Sequence, residues 1–497
     1  MARADLSFPH PLYDKFVLQP FFADAQVYYF APMLAANRAH AVMLSTCGII
    51  SRDNAAALLN ALAHVEAQGV AGLRYRAGVE DLFFAMENEI IALAGAAHGG
   101  NLQLARSRND LGYALTRLAL RTLLLEALDD LLSLRESLRE FACMHLRTLM
   151  PGYTHTQPAQ PTTFAHYIAG VLAGLARDTA RLQFAWATNN QSPLGAAALT
   201  GTAFPIDRAL SARLLGFDSV MHSTYDSIGA SDNLTDVAGA LSSLAVNLSR
   251  FTKDMLFWAT QESGAVNIHN SFLQISSIMP QKRNPVVLEH LRARISRMLA
   301  QAQGIVLQCH NIPFGDTQDI EDEIFPLLFG SLETGKAILQ LYAAVVDTME
   351  INVQRLRARA GAGFTTVTEL ADTLVRECGL PFRQAHNVVA ALVGHAQAER
   401  LSPADLTAEI LQRVAADQLG LEISLADAAF QRALDAQAFV DSRSLHGGAA
   451  PAATADVLAA QHAQIQVDRR WLDARHNALR AADEWLNNEI AALLTPA

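Results

Sequence analysis

The longest unbroken pattern in the chain runs from Tyr113 to Met150, where no glycine or proline intervenes and leucines recur at spacings of three and four: Leu115, Leu118, Leu120, Leu123, Leu124, Leu128, Leu131 and Leu132. That period predicts a helix of up to about 38 residues, roughly 57 Å at 1.5 Å per residue. Further runs from Thr163 to Ala187, Leu234 to Gln261, Val286 to Ile305 and Ser331 to Ala360 predict four more long helices. Helices of this length build elongated bundles rather than small globules. Strand-like alternation is sparse, so the reading is all-α. Before residue 105 and after about 361 the helical runs shorten and Gly and Pro punctuate them. With Gly99-Gly100 and Gly361-Ala362-Gly363 as breaks, the expected division is an N-terminal helical domain over 1–105, a central long-helix domain over 106–360 and a C-terminal helical domain over 361–497. The small-residue stretch from Gly447 to Ala453 reads as a mobile connection before a last helix.

Composition sharpens this picture. The chain of 497 residues is 51% hydrophobic and 18% charged, much of the apolar surplus being Ala and Leu inside helical runs. Large buried helix–helix interfaces, including interfaces between subunits, are the outlet for that surplus. A net charge of −11 with no clustered basic tail argues against non-specific nucleic-acid binding. Cys47, Cys143, Cys309 and Cys378 are scattered, without CxxC or Cys/His ligand spacing, so neither a disulfide framework nor a zinc site is expected. The segment Met1-Ala2-Arg3-Ala4-Asp5-Leu6 lacks the apolar core of a signal peptide, and no stretch is long and apolar enough for a membrane span. A cytoplasmic protein is the expectation.

Three polar clusters interrupt the helices. The first, Ser107-Arg108-Asn109-Asp110, precedes the longest run. Asp110 or Asn109 can cap that helix, or Arg108 can grip a carboxylate with its planar fork; the residues alone leave both readings open. The second, Pro151-Gly152-Tyr153-Thr154-His155-Thr156-Gln157-Pro158, is bounded by prolines and reads as a turn entering a helix. The third, Ser276-Ser277-Ile278-Met279-Pro280-Gln281-Lys282-Arg283-Asn284-Pro285, places a hydroxyl pair, a cation and an amide on a segment that two prolines keep out of any continuous helix or central strand. A serine acts as a base only when its alkoxide is stabilised, and a nearby ammonium with backbone N–H groups supplies that. The bland alternative is a capped surface turn.

The third cluster resembles the signature loop of the fumarase/aspartase superfamily, usually Gly-Ser-Ser-x-Met-Pro-x-Lys-x-Asn-Pro. Ten of its eleven positions are compatible with Ile275–Pro285, the departure being Ile275 in place of glycine. The first cluster resembles the Ser-Arg-Asn-Asp-Gln motif of the argininosuccinate lyase branch, with Leu111 in place of Gln, and the second its Gly-Tyr-Thr-His segment. Pro193–Arg208 and Gly379–His386 extend the similarity over most of the chain.

The resemblance implies a three-domain helical fold that assembles as a homotetramer around a twenty-helix bundle, with each site shared by three subunits. It also implies a carbon–nitrogen lyase that releases fumarate from an N-substituted aspartate by anti elimination, with no metal or organic cofactor. Ser276 would be the base. Lys282 and Asn284 would stabilise the aci-carboxylate, and His155, oriented by Glu289, would assist proton delivery to the leaving group. Ser107, Arg108, Asn109 and Thr154 would hold the dicarboxylate half, and Gln157 and Met279 would also contact substrate. The small-molecule partner therefore carries a succinyl or fumarate moiety.

The amine side departs from the pattern. Argininosuccinate lyases carry Tyr, Gln and Lys toward the arginine half of the substrate, and aligning the neighbouring Glu-Asp with Glu321-Asp322 puts Gly315, Ile320 and Glu323 at those positions. Val286 replaces an Asp after the signature, and Asp81-Leu82-Phe83 replaces Asp-Val-His. A pocket that has lost its polar partners binds a guanidinium poorly, so the expectation is a different amine. The alternatives are a true argininosuccinate lyase with relocated amine contacts, and a non-catalytic, crystallin-like structural protein on the same scaffold.

Overall fold

The structure, a computed structural model, describes residues 8–495; the segment Met1–Leu6 lies outside them. Its N-terminal part contains α1 (Phe30–Thr46), α2 (Arg52–Gln68) and α3 (Leu82–Ala94). The next helix, α4 (Arg108–Met144), is the long leucine run, followed by a hairpin of β1 (Leu149–Thr154) and β2 (Gln157–Thr163). Then come α5 (Phe164–Asn189), α6 (Asp232–Trp258), the short strands β3 (Gln274–Ile275) and β4 (Arg283–Asn284), α7 (Val286–Cys309) and α8 (Phe325–Thr348). The chain continues through α9 (Val367–Cys378), α10 (Phe382–Glu399), α11 (Ala408–Leu419) and α12 (Asp427–Leu434), and ends in α13 (Pro451–Leu494).

The five helices α4 to α8 close a ring: each packs on the next, and α8 returns to α4. Leu124, Leu128, Leu131 and Leu132 of α4 are at most 1% exposed, so this helix is apolar on more than one face and sits among neighbours rather than at a surface. Each such leucine contributes about 1.5–3 kcal/mol by leaving water. The last helix, α13, lies along α4 and α5, and Arg135 Nη1 donates to Asp468 Oδ2 at 2.6 Å in a fully shielded ion pair between them. Helices α9 to α12 form a separate small core around Leu374, Leu392, Leu411 and Phe430, which α13 does not join.

Three sequence expectations change. The run Ser331–Ala360 is not one helix: it stops at Thr348, Glu350–Ile351 pairs with Val266–Asn267, and a new helix spans Val353–Ala360. Asn352 forces the restart, its side chain accepting from Arg355 N–H as a cap. The Pro151–Pro158 segment is a β-hairpin, not a turn into a helix, and α5 begins only after Thr163 caps it. Prolines are tolerated there because a two-stranded ribbon leaves one edge of each strand free of ladder bonds. The Gly447–Ala453 connection is packed rather than loose, with Ala449, Ala450 and Ala453 buried.

Candidate active site

Ser107 caps α4: its hydroxyl accepts from Asn109 N–H at 3.3 Å, while Asp110 Oδ1 accepts from Ser107 N–H at 3.0 Å. Asp110 is fully buried, and its other oxygen accepts from Gly195 and Ala197 N–H, each at 2.9 Å, tying the Pro193–Gly201 loop to the helix start. This leaves Arg108 free of capping duty. Its Nη1 donates to Asp81 Oδ2 at 2.7 Å, Nη2 reaches Glu80 Oε1 at 3.5 Å, and its guanidinium lies 4.9 Å from the centre of the Phe84 ring. Asp81 is itself the cap of α3, accepting from Phe84 N–H. The guanidinium is therefore fixed between a carboxylate and an aromatic face, with half-buried exposure for a further anion.

Facing Arg108 is an acidic segment after α7: Asp316, Glu321, Asp322 and Glu323. Burial, then repulsion from Asp316 and Asp322, pushes the Glu321 carboxyl up to about 8. Burial, then Asp81 and Glu323, pushes Asp322 up to about 7. Residues Gly315, Ile320 and Glu323 present an open backbone, a buried alkyl group and an exposed carboxylate in turn.

At the hairpin, Thr154 and Gln157 are the closing pair, and the two residues between them, His155 and Thr156, both have positive φ, 50° and 64°. This is the geometry of a tight hairpin turn, but two side-chain-bearing residues, one β-branched, make it strained by about 1–3 kcal/mol each. The turn projects His155 into solvent at its tip. A groove of about 910 Å³ runs past Thr154 between α5, α6 and the Arg443–Ala449 segment, and neither Ser276 nor Arg108 lines it.

The signature loop spans the turn between β3 and β4, where Gln274 pairs with Asn284 and Ile275 with Arg283. Met279 and Ile278 N–H groups donate to Ser276 Oγ at 3.0 and 3.4 Å. Two donors converging on one hydroxyl oxygen lower the cost of an alkoxide there. Ile275 lies in the strand and outside the left-handed region, so this backbone does not demand the usual glycine. Lys282, Met279 and Glu289 are exposed and Asn284 is half-buried; Glu289 sits in the first turn of α7.

One chain does not bring these clusters together. Ser107, Arg108 and Asn109 begin α4 and the His155 hairpin follows its far end, a separation of about 55 Å for a 37-residue helix. Ser276 precedes α7, whose other end leads to Glu321 after 24 helical residues, about 36 Å. Among the described residues of the chain, the side chains of His155, Lys282 and Glu289 make no hydrogen bond with one another or with Ser276. Nor do those residues hold a group of three or more His, Cys, Asp or Glu disposed to bind a metal ion. What sequence reasoning missed is the pairing of Asp81 with Arg108 and the partial burial of Glu321 and Asp322. The signal available was the density of acids from Asp316 to Glu323.

A family model described as "Lyase" matches residues 35–303, and one described as "Argininosuccinate lyase C-terminal" matches 364–441. The chain is 33% identical over 466 residues to argininosuccinate lyase 1 of Shouchella clausii, covering 94% of each chain. It is 37% identical over 418 residues to argininosuccinate lyase of Methanothermobacter thermautotrophicus, covering 84% of this chain and 89% of the relative. Among solved structures, EDDS lyase in complex with formate superposes with a TM-score of 0.88 at 28% identity, covering 97% of this chain and 96% of that one. A class II fumarase from Schistosoma mansoni shares the fold at a TM-score of 0.69 and 16% identity, covering 84% of this chain and 90% of that one.

Proposed function

The chain belongs to the argininosuccinate lyase family of the fumarase/aspartase superfamily, and on that premise we propose that it cleaves an N-substituted L-aspartate reversibly into fumarate and an amine. It is a carbon–nitrogen lyase. The observation that carries the reading is its likeness, over nearly its whole length, to lyases of this class. In the proposed scheme Ser276 removes the proton beside a carboxylate, helped by the two N–H groups that already point at its oxygen. Lys282 and Asn284 stabilise the aci-carboxylate that results. His155, oriented by Glu289, protonates the departing nitrogen. Arg108, Asn109, Ser107 and Thr154 hold the dicarboxylate half, with Gln157 and Met279 alongside. Charge stabilisation and proton transfer all fall to side chains and backbone of the protein.

The distances within one chain support a site assembled from several copies, since an α4 about 55 Å long separates Arg108 from His155. We read the assembly as a homotetramer whose sites each draw on three subunits. Exposed apolar side chains at Phe184, Val246, Phe257 and Leu307 on the ring helices and Ile278 on the loop favour that reading. No helix among the described residues is long and apolar enough to cross a membrane, and all four cysteines are free, which supports a reducing cytoplasmic setting.

The test is incubation of purified protein with fumarate and a panel of amines, following fumarate absorbance and adduct mass. A second reading, arginine as the amine, is favoured by the curated relatives, which are argininosuccinate lyases at 32–37% identity. Against it stand Gly315, Ile320 and Glu323. Each lost buried polar contact costs about 1–3 kcal/mol, so two lower kcat/KM for argininosuccinate by roughly 30-fold to 10⁴-fold. Cleavage of argininosuccinate above about 10⁴ M⁻¹s⁻¹ would make arginine the answer.

A further inference from the structure

We propose that Glu321 selects the amine half of the substrate by accepting a hydrogen bond from a second, cationic nitrogen on the leaving amine. The inference rests on the lyase reading above and names the class of amine. Glu321 is lodged against α4 where Gly112 leaves room: a Cβ on Gly112 would lie 3.0 Å from Glu321 Oε1. A glycine inside a helix costs about 1 kcal/mol relative to alanine, and here it admits a carboxyl to the helix surface. Arg108 and Gly112 are four residues apart on the same face of α4, about 6 Å along its axis.

Between them lies a cavity of about 40 Å³ whose lining includes Asp81, Arg108, Glu321, Phe21 and Phe83. A cation and a carboxyl lining one cavity, with apolar walls, match a molecule bearing a carboxylate at one end and an ammonium at the other. On the other side of Glu321, a second cavity of about 10 Å³ is lined by Tyr113, Arg117 and Ile320. Arg117 is 2% exposed, yet its Nε has no partner, and neither has the Tyr113 hydroxyl. Buried polar atoms are normally satisfied; the Arg117 N–H calls for a hydrogen-bond acceptor there, so the cationic nitrogen belongs on the Arg108 side of Glu321 and not in this pocket.

Charge points the same way. Asp81, Glu80, Asp316 and Asp322 surround Arg108 and Glu321, an acidic setting that suits a positive amine half beside the carboxylate half that Arg108 holds. In the condensation direction the amine nitrogen bonds to one alkene carbon of fumarate and gives up a proton, while the neighbouring carbon gains one. The second nitrogen takes no part in bond making. It contributes binding alone.

The experiment offers the full-length protein fumarate with ethylenediamine, n-propylamine or arginine, with rates corrected for the fraction of free amine and adducts identified by mass. Ethylenediamine is expected to outpace n-propylamine by roughly 10-fold or more, the worth of one charge-assisted hydrogen bond. Glu321→Gln is expected to collapse that ratio toward one, and Glu321→Asp to restore part of it. A ratio unchanged in Glu321→Gln overturns the inference, and so does a wild-type preference for n-propylamine. Acceptance of arginine alone, at a rate unchanged in Glu321→Gln, overturns it too while leaving the lyase reading intact. No adduct from any of the three, with no cleavage of argininosuccinate, overturns both.

Discussion

The two ends of the ring bundle solve opposite problems. At the signature-loop and hairpin end, the chemistry-bearing side chains stand on short exposed turns: Ser276 under its own loop N–H groups, His155 at the tip of a two-residue turn. At the other end, Arg108 and Glu321 are held inside a packed acidic nest by Asp81, Phe84 and the bare face of Gly112. The first end fixes its groups through local backbone geometry and leaves them exposed, Ser276 partly so. The second fixes them by tertiary packing, at the cost of desolvating several carboxyls. In the scheme proposed above, proton transfer falls to the first kind of construction, and the gripping of the substrate's carboxylate and the selection of its amine to the second.

The comparison breaks most sharply at Ser276. Ser276→Ala is expected to lower kcat by well over about 100-fold while leaving oligomer size and melting unchanged, because the hydroxyl serves an exposed loop and no core. Retention of a tenth of the wild-type rate would remove Ser276 from the mechanism and turn attention to Ser277. At the other end, Arg108→Lys is expected to raise KM for fumarate and for the succinyl-bearing substrate together by roughly 10-fold. An ammonium cannot reproduce the guanidinium fork, nor rest on Phe84 and Asp81 in the same way. Equal KM values for variant and wild type would leave Arg108 as a clip between α3 and α4 and nothing more.

That contrast also explains what the sequence made legible. The leucine period of α4 reads directly as a helix because buried apolar positions recur with the backbone's own repeat. The serine loop reads directly because its prolines and its polar residues lie within one decapeptide. The break at Thr348 did not read, since Asn352 looks like any helix-surface amide until the Ile351–Val266 ladder nearby gives its cap a purpose. The hairpin at Tyr153–Pro158 was hidden for a related reason: a His-Thr turn at positive φ is a poor local choice, maintained by the pairing of Leu149 to Thr154 with Gln157 to Thr163. Asp81, Glu321 and Gly112 are separated by up to 240 residues, and no local pattern records that they meet.

The smallest effect is the most specific to the packed end. The Glu321 carboxyl has an ordinary value of 4.5, raised in the fold to about 8 by burial and then by Asp316 and Asp322, against the partial relief of Arg108. The folded protein therefore keeps a proton that the unfolded chain releases above about pH 4.5, and between there and about pH 8 each rise in pH favours unfolding. Asp322 acts with the same sign, from its ordinary 3.8 to about 7. Removing the Glu321 contribution with Glu321→Gln, which keeps shape and a hydrogen-bonding head group, should leave the melting temperature near that of wild type at pH 5 and raise it above wild type at pH 8.5. The gap is expected to be on the order of a few degrees, since a protein of this size moves by less than about 4 °C per kcal/mol. Melting curves at the two pH values decide it. A gap that stays constant across the window would mean that Glu321 is ionised in the fold throughout, and that the acidic nest around Arg108 is open to water rather than packed.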